Sequence, residues 1–261
     1  MYSQLTEKEI ADSIRYASYI QAALLPDANN FKRLLPDSFI LNLPRDIVSG
    51  DFYWISKVQN RIAVTAADCT GHGVPGAFMS IMGINFLNQI TSYCIPSSNK
   101  ILNQLREYVM KALHQQGMEG EQKDGIDLAL CVIDTDAEVI EFSGANNPLF
   151  YFKNHELNVI KGDRMPIGVS PLEEEPFKKH IIPFRDIDSL YIFSDGYPDQ
   201  FGGEKFKKIK MKGFRNIIRQ IHNKEMGKQA EILVEWLDDW KGDNRQIDDI
   251  LILGIGLDSF K

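Results

Sequence analysis

The first apolar residues of the chain are spaced as on one face of a helix. In TEKEIADSIRYASYIQAALLP they recur every three or four residues before Pro26, at Ile10, Ile14, Ala17, Ile20 or Gln21, and Leu24. This spacing predicts an amphipathic helix that ends at the proline. Its apolar stripe fits two roles equally: packing on the domain that follows, or connecting an N-terminal module and pairing with a second copy. We therefore predict a connector helix over 1–26 and one domain over 27–261.

The remaining hydrophobic runs predict an α+β domain. Short β-branched and aromatic runs bounded by turn residues predict strands over 39–43, 47–58, 61–68, 127–134, 138–144, 148–152, 156–161, 179–184, 189–195 and 248–256. Helical stretches are predicted over 74–89, 101–114, 212–221 and 227–240. The first of these is apolar nearly all round, with Pro75 in its first turn, so we expect it to be buried. Because strands and helices do not alternate singly, the sheets should be antiparallel.

Composition and charge exclude several classes of protein. Hydrophobic residues make up 44% and charged residues 25% of the 261 residues, as in an ordinary packed domain, and no apolar run is long enough for a membrane span. The net charge of −7 and the lack of a basic run argue against nucleic acid as a partner. Three cysteines without a C-x-x-C pair favour a reducing, cytoplasmic location, and five scattered histidines provide no zinc motif.

Acidic residues recur where a hydrophobic strand meets a turn of small residues. They are Asp51 in VSGDFYW, Asp68 in AADCTGHG, Asp195 in FSDGY, and Asp248 with Asp249 in QIDDILIL. A single Asp beside glycine is typical of a turn, but the repetition favours a shared site. Converging carboxylates repel each other by about 4 kcal/mol per close pair, so they need a cation. Oxygen ligands select magnesium, manganese or calcium, which activate water as a nucleophile.

Eight segments of the chain resemble, in order, the motifs of the stage II sporulation protein E-type serine phosphatase domain. This domain is a bacterial branch of the metal-dependent type 2C protein phosphatases. The segments are SYIQAALLP, PRDIVSGDFYW, ADCTGHGVPGAFMSIMG, KDGIDLALCVI, FSGANNPLF, PIGV, YIFSDGYPDQFGG and QIDDILILGIG, from Ser18 to Gly256. The resemblance implies a four-layer α-β-β-α sandwich of two antiparallel sheets flanked by helix pairs, with a metal site at one end of the sheets.

The resemblance also implies a set of metal ligands. Asp68 would bridge two Mn²⁺ or Mg²⁺ ions, and the backbone carbonyl of Cys69, rather than its thiol, would take the place of a family glycine carbonyl. Asp51 would reach the ions through the second metal or its waters. Asp195 would bind the second metal, and Asp248 would complete the ligand set of that metal.

Several positions leave alternatives open. Relatives often have asparagine after the last aspartate, where this chain has Asp249, so either Asp248 or Asp249 faces the metal, and we favour Asp248. His72 is a candidate general acid for the leaving serine oxygen, or it shapes the loop before the helix. Asp124 and Asp127 are candidates for a third, looser metal. Arg45 is the one candidate in the chain for the phosphate-binding arginine of the larger relatives.

The resemblance implies a phosphoprotein phosphatase that acts on phosphoserine or phosphothreonine without a covalent phosphoenzyme. The expected substrate is a phosphorylated regulator of the anti-sigma-factor antagonist type in bacterial signalling. The first helix would carry a signal from an upstream sensor module, and a homodimer is compatible with its apolar stripe. Two other classes of protein remain possible. One is a catalytically weak or inactive interaction module with the same fold. The other is a two-metal phosphodiesterase or nuclease, against which the net negative charge of the chain argues.

Overall fold

Groups of strands alternate with pairs of helices along the chain. The computed structural model describes residues 6–116, 123–170 and 175–260. Seven α-helices lie within these ranges: α1 (Glu7–Leu24), α2 (Ala28–Leu34), α3 (Gly73–Ile90), α4 (Ser98–Ala112), α5 (Gly196–Asp199), α6 (Lys210–Ile221) and α7 (Met226–Lys241). Within the same ranges, no helix has the length and apolar composition needed to cross a membrane.

The described strands form two five-stranded sheets and a small hairpin. They are β1 (Ser38–Leu43), β2 (Phe52–Val58), β3 (Arg61–Cys69), β4 (Ile126–Asp134), β5 (Val139–Ala145), β6 (Leu149–Lys153), β7 (Glu156–Ile160), β8 (His180–Pro183), β9 (Ile187–Phe193), β10 (Phe201–Gly202), β11 (Lys207–Lys208) and β12 (Ile250–Gly256). One sheet has the order β1-β12-β9-β6-β7 and the other β2-β3-β4-β5-β8. Neighbouring strands in both sheets are antiparallel.

Three buried hydrophobic layers hold the sheets and helices together. On β3, Ile62 and Val64 face the core between the sheets, whereas Ala63 and Ala67 face the layer under α3 and α4. β12 alternates in the same way between the central core and the layer under α6 and α7. Strands buried on both faces have continuous apolar sequences, which explains ILILGIG in β12. The predicted α+β class and four-layer α-β-β-α sandwich are confirmed.

The predicted N-terminal helix forms and lies against the domain. α1 begins with a capping box in which the Thr6 side chain accepts from the backbone of Glu9 and the Glu9 carboxylate accepts from the backbone of Thr6. Of the two alternative positions in its apolar stripe, Gln21 is buried and Ile20 is 48% exposed. Residues 1–5 of the predicted 1–26 connector, and Lys261 of the predicted domain, lie outside the described residues.

The helix predicted as buried over 74–89 forms as α3, but it is not buried all round. Met79 and Leu87 face the layer beneath it, while Phe78 is 71% exposed and Val74 is also exposed. The prediction was wrong because an apolar sequence on every side does not show which face has a neighbour. α4 and α1 cover only parts of α3, and the face with Phe78 has no covering element among the described residues.

The strand predicted over 47–58 begins later than expected, at Phe52. The preceding segment is a loop because its backbone N–H groups bond to side chains rather than to a neighbouring strand. Gly50 N donates to Asp249 Oδ2 at 2.8 Å, and Asp51 N donates to Ser49 Oγ at 3.0 Å. The short helix α2 was not predicted; it buries Phe31 in the core between the sheets.

Candidate metal centre and active site

Five acidic residues lie where strands begin or end at one edge of the sandwich. Asp51 precedes β2, Asp68 lies next to the end of β3, and Asp127 lies next to the start of β4. On the other sheet Asp195 follows β9 and Asp248 precedes β12. Since the end of one strand lies beside the start of its antiparallel neighbour, these positions share an edge within each sheet. The stacking of the two sheets brings the two groups together.

Strand register places Asp68 and Asp127 directly opposite each other. Val64 and Ala66 on β3 face the core between the sheets, so Asp68, two residues beyond Ala66, faces the same side. Asp127 precedes Ala129 on the corresponding face of β4. The Asn146 side chain donates to Asp127 Oδ1 at 2.8 Å and holds this carboxylate at the rim.

Asp51 reaches the site through a tightly packed loop. A side chain on Gly50 or Gly76 would meet the Gly71 carbonyl, so these glycines let three backbone segments lie in contact. Asp51 is only 3% exposed, and its carboxyl lies against Asp68 and Ser194. Its Oδ2 atom is buried and has no hydrogen-bond partner among the described residues.

Most of these side chains line one open pocket of about 240 Å³. It is lined by Asp68, Cys69, Thr70, Gly71, His72, Asp127, Asp195, Asp248 and Asp249. Asp51 is not a lining residue and lies buried behind Asp68. The structure therefore brings four of the five predicted ligand residues to one pocket and places the fifth against it.

The carboxylates of Asp248 and Asp249 have different surroundings. Asp249 is buried, and both of its carboxylate oxygens accept backbone bonds: Oδ1 from Arg45 N at 2.7 Å and Oδ2 from Gly50 N at 2.8 Å. Asp248 accepts one bond, from Asp249 N to Oδ1 at 2.9 Å. The Asp249 carboxylate therefore holds the loop before Asp51, whereas Asp248 keeps an oxygen without a hydrogen bond to the described residues.

Mutual repulsion and burial make these acids hard to ionise together. Burial, opposed by a contact with Ser194 and reinforced by Asp249, raises the pKa of Asp51 to about 8. Burial and the nearby charges of Asp51 and Asp195 raise the pKa of Asp68 to about 10. The pKa values of Asp195 and Asp248 are also raised, first by burial. A bound cation would reverse these shifts because it favours the charged carboxylates.

The donor set fits a hard dication. It consists of carboxylate and backbone oxygens, with a buried Asp51 oxygen that lacks a partner. Burial, followed by repulsion from Asp68, raises the pKa of the Cys69 thiol and keeps it protonated, which removes it as a soft ligand. Within the described ranges, no three His, Cys, Asp or Glu side chains are already close enough to form a ligand set for one ion.

His72 stands at the rim of the pocket, immediately before α3. It is the N-cap residue of this helix, and its ring Nδ1 lies 3.2 Å from Asp46 Oδ2. The side chain is about half exposed, at 53%. Asp46 was not singled out from the sequence, because nothing in PRDIVSGD indicates that its side chain meets a histidine 26 residues away.

Of the weaker candidates from the sequence, some line the acidic pocket and others lie outside it. Asp127 lines the pocket, and Asp124 does not; the Asp124 carbonyl instead accepts from Gln115 Nε2 at 2.7 Å. Arg45 lies outside the acidic pocket, where its Nη1 donates to the Ile247 carbonyl at 3.1 Å. Thr70 fixes the loop after Asp68, since its backbone N donates to the Gly125 carbonyl at 2.9 Å.

Comparisons with known proteins agree with this architecture. A sequence profile of the stage II sporulation protein E (SpoIIE) family matches residues 59–258. The SiaA-PP2C domain of Pseudomonas aeruginosa is 30% identical, with a TM-score of 0.86 over 97% of this chain and 98% of that one. A search among curated proteins gives no match.

More distant structures share the fold. The structure of the PP2C phosphatase domain and a regulatory-domain fragment of SpoIIE from Bacillus subtilis matches with a TM-score of 0.62 and 16% identity, over 84% of this chain and 61% of that one. A bacterial serine phosphatase matches with a TM-score of 0.62 and 11% identity, over 85% of this chain and 98% of that one. With its sandwich, its acidic pocket and these matches, the chain belongs to the stage II sporulation protein E family and has the fold of PP2C-type bacterial serine phosphatases.

Proposed function

We propose that this protein is a Mn²⁺- or Mg²⁺-dependent protein phosphatase that hydrolyses phosphoserine or phosphothreonine. The observation that carries the proposal is the convergence of Asp68, Asp127, Asp195 and Asp248 on one open pocket, with Asp51 buried behind them. The carboxyl groups of such a cluster raise one another's pKa values and lower the stability of the folded protein, which a purely structural role does not explain. A cationic ligand accounts for it.

Two ions are proposed, as in the related family. Asp51, Asp68, Asp195, Asp248 and the backbone carbonyl of Cys69 would hold them. We assign Asp248 rather than Asp249, since both Asp249 oxygens already accept backbone bonds. When bound, such ions activate water and neutralise charge on a phosphoryl group. The surrounding pocket is open to solvent on one side, so a side chain carried on a protein surface has access to it.

His72 is proposed to give a proton to the leaving serine oxygen. Its Nδ1 faces the Asp46 carboxylate, which leaves Nε2 as the nitrogen available to a substrate. His72 also lines the acidic pocket, so its ring lies beside the place where the phosphoryl group would be held.

A covalent thiol mechanism has no support from the site. Cys69 is buried, and its raised pKa leaves the thiol protonated. A reactive cysteine needs a positive neighbourhood, whereas this one lies among carboxylates. A nuclease is disfavoured by the same surroundings, since the acidic pocket and a net charge of −7 repel a polyanion.

The decisive experiment compares hydrolysis of p-nitrophenyl phosphate and a phosphoserine peptide with and without Mn²⁺. We expect activity that requires the ion, is abolished by chelator, and falls at least about 100-fold in Asp68→Asn, which retains the size but removes the charge. Cys69→Ala keeps the backbone carbonyl and should retain most of the turnover. Metal-independent turnover, or full activity of Asp68→Asn, would overturn the proposed site. No turnover of either substrate by the folded, Mn²⁺-bound protein would favour an interaction module.

The N-terminal helix is proposed to transmit a signal from an upstream sensor module. Gln21 Nε2 donates to the Ser49 carbonyl at 2.6 Å and to Ser80 Oγ at 2.9 Å, while its Oε1 accepts from Ser49 N at 3.0 Å. Ser49 Oγ in turn accepts from Asp51 N at 3.0 Å. A movement of α1 would therefore displace the loop that holds Asp51.

The physiological substrate is proposed to be a small phosphorylated regulator of the anti-sigma-factor antagonist type. This proposal follows from the family to which the chain belongs, and a homodimer formed through α1 is proposed with it. The exposed Ile10, Tyr16, Tyr19 and Ile20 on α1 support the second part, because they leave apolar surface uncovered in a single chain.

A further inference from the structure

A second pocket, with two arginines, lies beside the acidic one. It has a volume of about 590 Å³ and is lined by Arg45, Asp46, Arg245, Gln246 and Ile247. Two connections join it to the candidate active site. Asp46 contacts His72, which lines the acidic pocket, and Ile247 directly precedes Asp248. We call this pocket, defined by its five lining residues, the arginine pocket.

The backbone around the arginine pocket is held in place by several hydrogen bonds. Gln246 Nε2 donates to the Leu43 carbonyl at 2.7 Å and to the Asp248 carbonyl at 2.8 Å. Gln200 accepts from Ile247 N at 3.2 Å and donates to the Arg245 carbonyl at 3.0 Å. The two loops that supply the arginines are therefore positioned before any ligand arrives, which lowers the entropic cost of binding.

The two arginine side chains are available for a ligand to different degrees. Arg45 uses Nη1 to reach the Ile247 carbonyl, and its Nε lies 3.8 Å from Asp46. Arg245 is exposed, and no hydrogen bond or ion pair joins its side chain to another residue in the described ranges. With one Asp and two Arg, the arginine pocket carries a formal charge of +1 next to a pocket lined by five aspartates.

We propose that the arginine pocket binds a carboxylate side chain near the phosphoserine of the protein substrate and so selects acidic substrates. This inference rests on the proposed phosphatase function. The guanidinium groups match a carboxylate geometrically, and charge-assisted bonds of this kind are the stronger ones. An acidic pocket repels an acidic substrate until its cations are bound, so a neighbouring positive site also helps to orient the approaching chain.

The test uses two phosphoserine peptides that differ only in having Glu or Gln at the positions flanking the phosphoserine. Binding of fluorescent peptides is measured by anisotropy, and kcat/KM is measured with Mn²⁺. We expect the wild-type protein to prefer the Glu peptide about five- to tenfold in both measurements, and less in high salt. Arg245→Ala should lose most of this preference. Arg245→Glu should reverse the charge preference, so that a third phosphoserine peptide, with Lys at the flanking positions, binds better than the Glu peptide.

A matched control is Arg185→Ala, which removes an equally charged side chain that is 82% exposed and pairs with Glu138. It should keep the wild-type preference. The proposed role of the arginine pocket would be contradicted by equal binding of the Glu and Gln peptides to the wild-type protein, or by an unchanged preference in Arg245→Ala. Failure to hydrolyse either peptide would count against the phosphatase function alone, because the binding measurement still tests the pocket.

Discussion

At the scale of single residues, Asp248 and Asp249 show how adjacent identical side chains take different roles. Asp249 accepts the backbone N–H groups of Arg45 and Gly50, 204 and 199 residues away in the chain, and is buried. Asp248 faces the acidic pocket. A carboxylate suits the first role because it accepts two bonds, whereas an asparagine has one acceptor oxygen and would turn an N–H₂ group toward a donor.

We expect Asp249→Asn to lower the free energy of unfolding by about 1–3 kcal/mol, since one buried N–H loses its acceptor. Asp248→Asn should leave the stability of the metal-free protein unchanged or raised, because it removes a repelling charge, but should weaken Mn²⁺ binding at least about tenfold. Urea unfolding without metal and calorimetric Mn²⁺ titration measure the two effects. If the two variants exchange these effects, Asp249 is the ligand.

The sequence could predict which aspartates gather but not how each is used. Asp51, Asp68, Asp195 and Asp248 were found because each lies where a hydrophobic strand meets a turn of small residues, and they do lie at one edge of the sandwich. Asp46 and Arg245 were missed, since their importance depends on contacts between distant loops. Asp127 was only a weak candidate, because its place opposite Asp68 follows from strand register.

At the scale of secondary structure elements, α1 is attached to the domain mainly near its C-terminal end. Gln21 is buried and bonds to Ser49 and Ser80, and Tyr53 Oη donates to the Pro26 carbonyl at 3.1 Å. Toward the N-terminus, Ile10 is 46% exposed. The apolar spacing predicted the helix itself, but the single buried position near its end is a polar glutamine, which no apolar pattern identifies.

If α1 pairs with a second copy or a sensor module, the double substitution Ile10→Asp and Ile14→Asp should change the sedimentation coefficient or basal turnover. The fold should survive, because Ile10 is partly exposed and Ile14 is only half-buried, so the expected cost is about 1–3 kcal/mol. Analytical ultracentrifugation and a turnover assay make the comparison. Lys8→Asp, on the exposed surface of the same helix, controls for added charge. Unchanged values in the double variant would mean that the stripe only packs on the domain.

At the scale of the whole molecule, the candidate metal centre joins the two sheets. Asp51 and Asp68 belong to the sheet that contains β2 and β3, whereas Asp195 and Asp248 belong to the sheet that contains β9 and β12. The hydrophobic runs predicted the strands of the two sheets because strands buried on two faces are apolar throughout. The way in which the sheets stack, and so which strand ends meet, was implied by the resemblance to a known family rather than by the pattern.

The stability of the metal-free protein should therefore depend on pH in a way that Mn²⁺ reverses. Burial raises the pKa of Asp51 to about 8 and of Asp68 to about 10, so the folded state holds protons that the unfolded state releases above its ordinary value of 3.8. The contribution of these two acids to the free energy of unfolding is therefore fully present at low pH. It is lost as the pH rises from 3.8 toward the pKa values of the folded state. The metal-free melting temperature should accordingly fall between pH 5 and pH 8.

Mn²⁺ should raise the melting temperature, and by a larger amount at pH 8 than at pH 5, because binding requires ionised carboxylates. At a hundredfold excess over Kd, each ion should add about 2.7 kcal/mol to the free energy of unfolding. Scanning calorimetry of the wild-type protein and Asp68→Asn, with and without Mn²⁺, measures the effect. Without metal at pH 8 the variant should melt higher than the wild-type protein, since Asp68 must take up a proton on folding at this pH and asparagine need not, and with metal it should melt lower. A Mn²⁺ shift that is independent of pH would show that the ion binds outside the acidic pocket, since only buried, raised-pKa carboxylates couple its binding to proton release in this range.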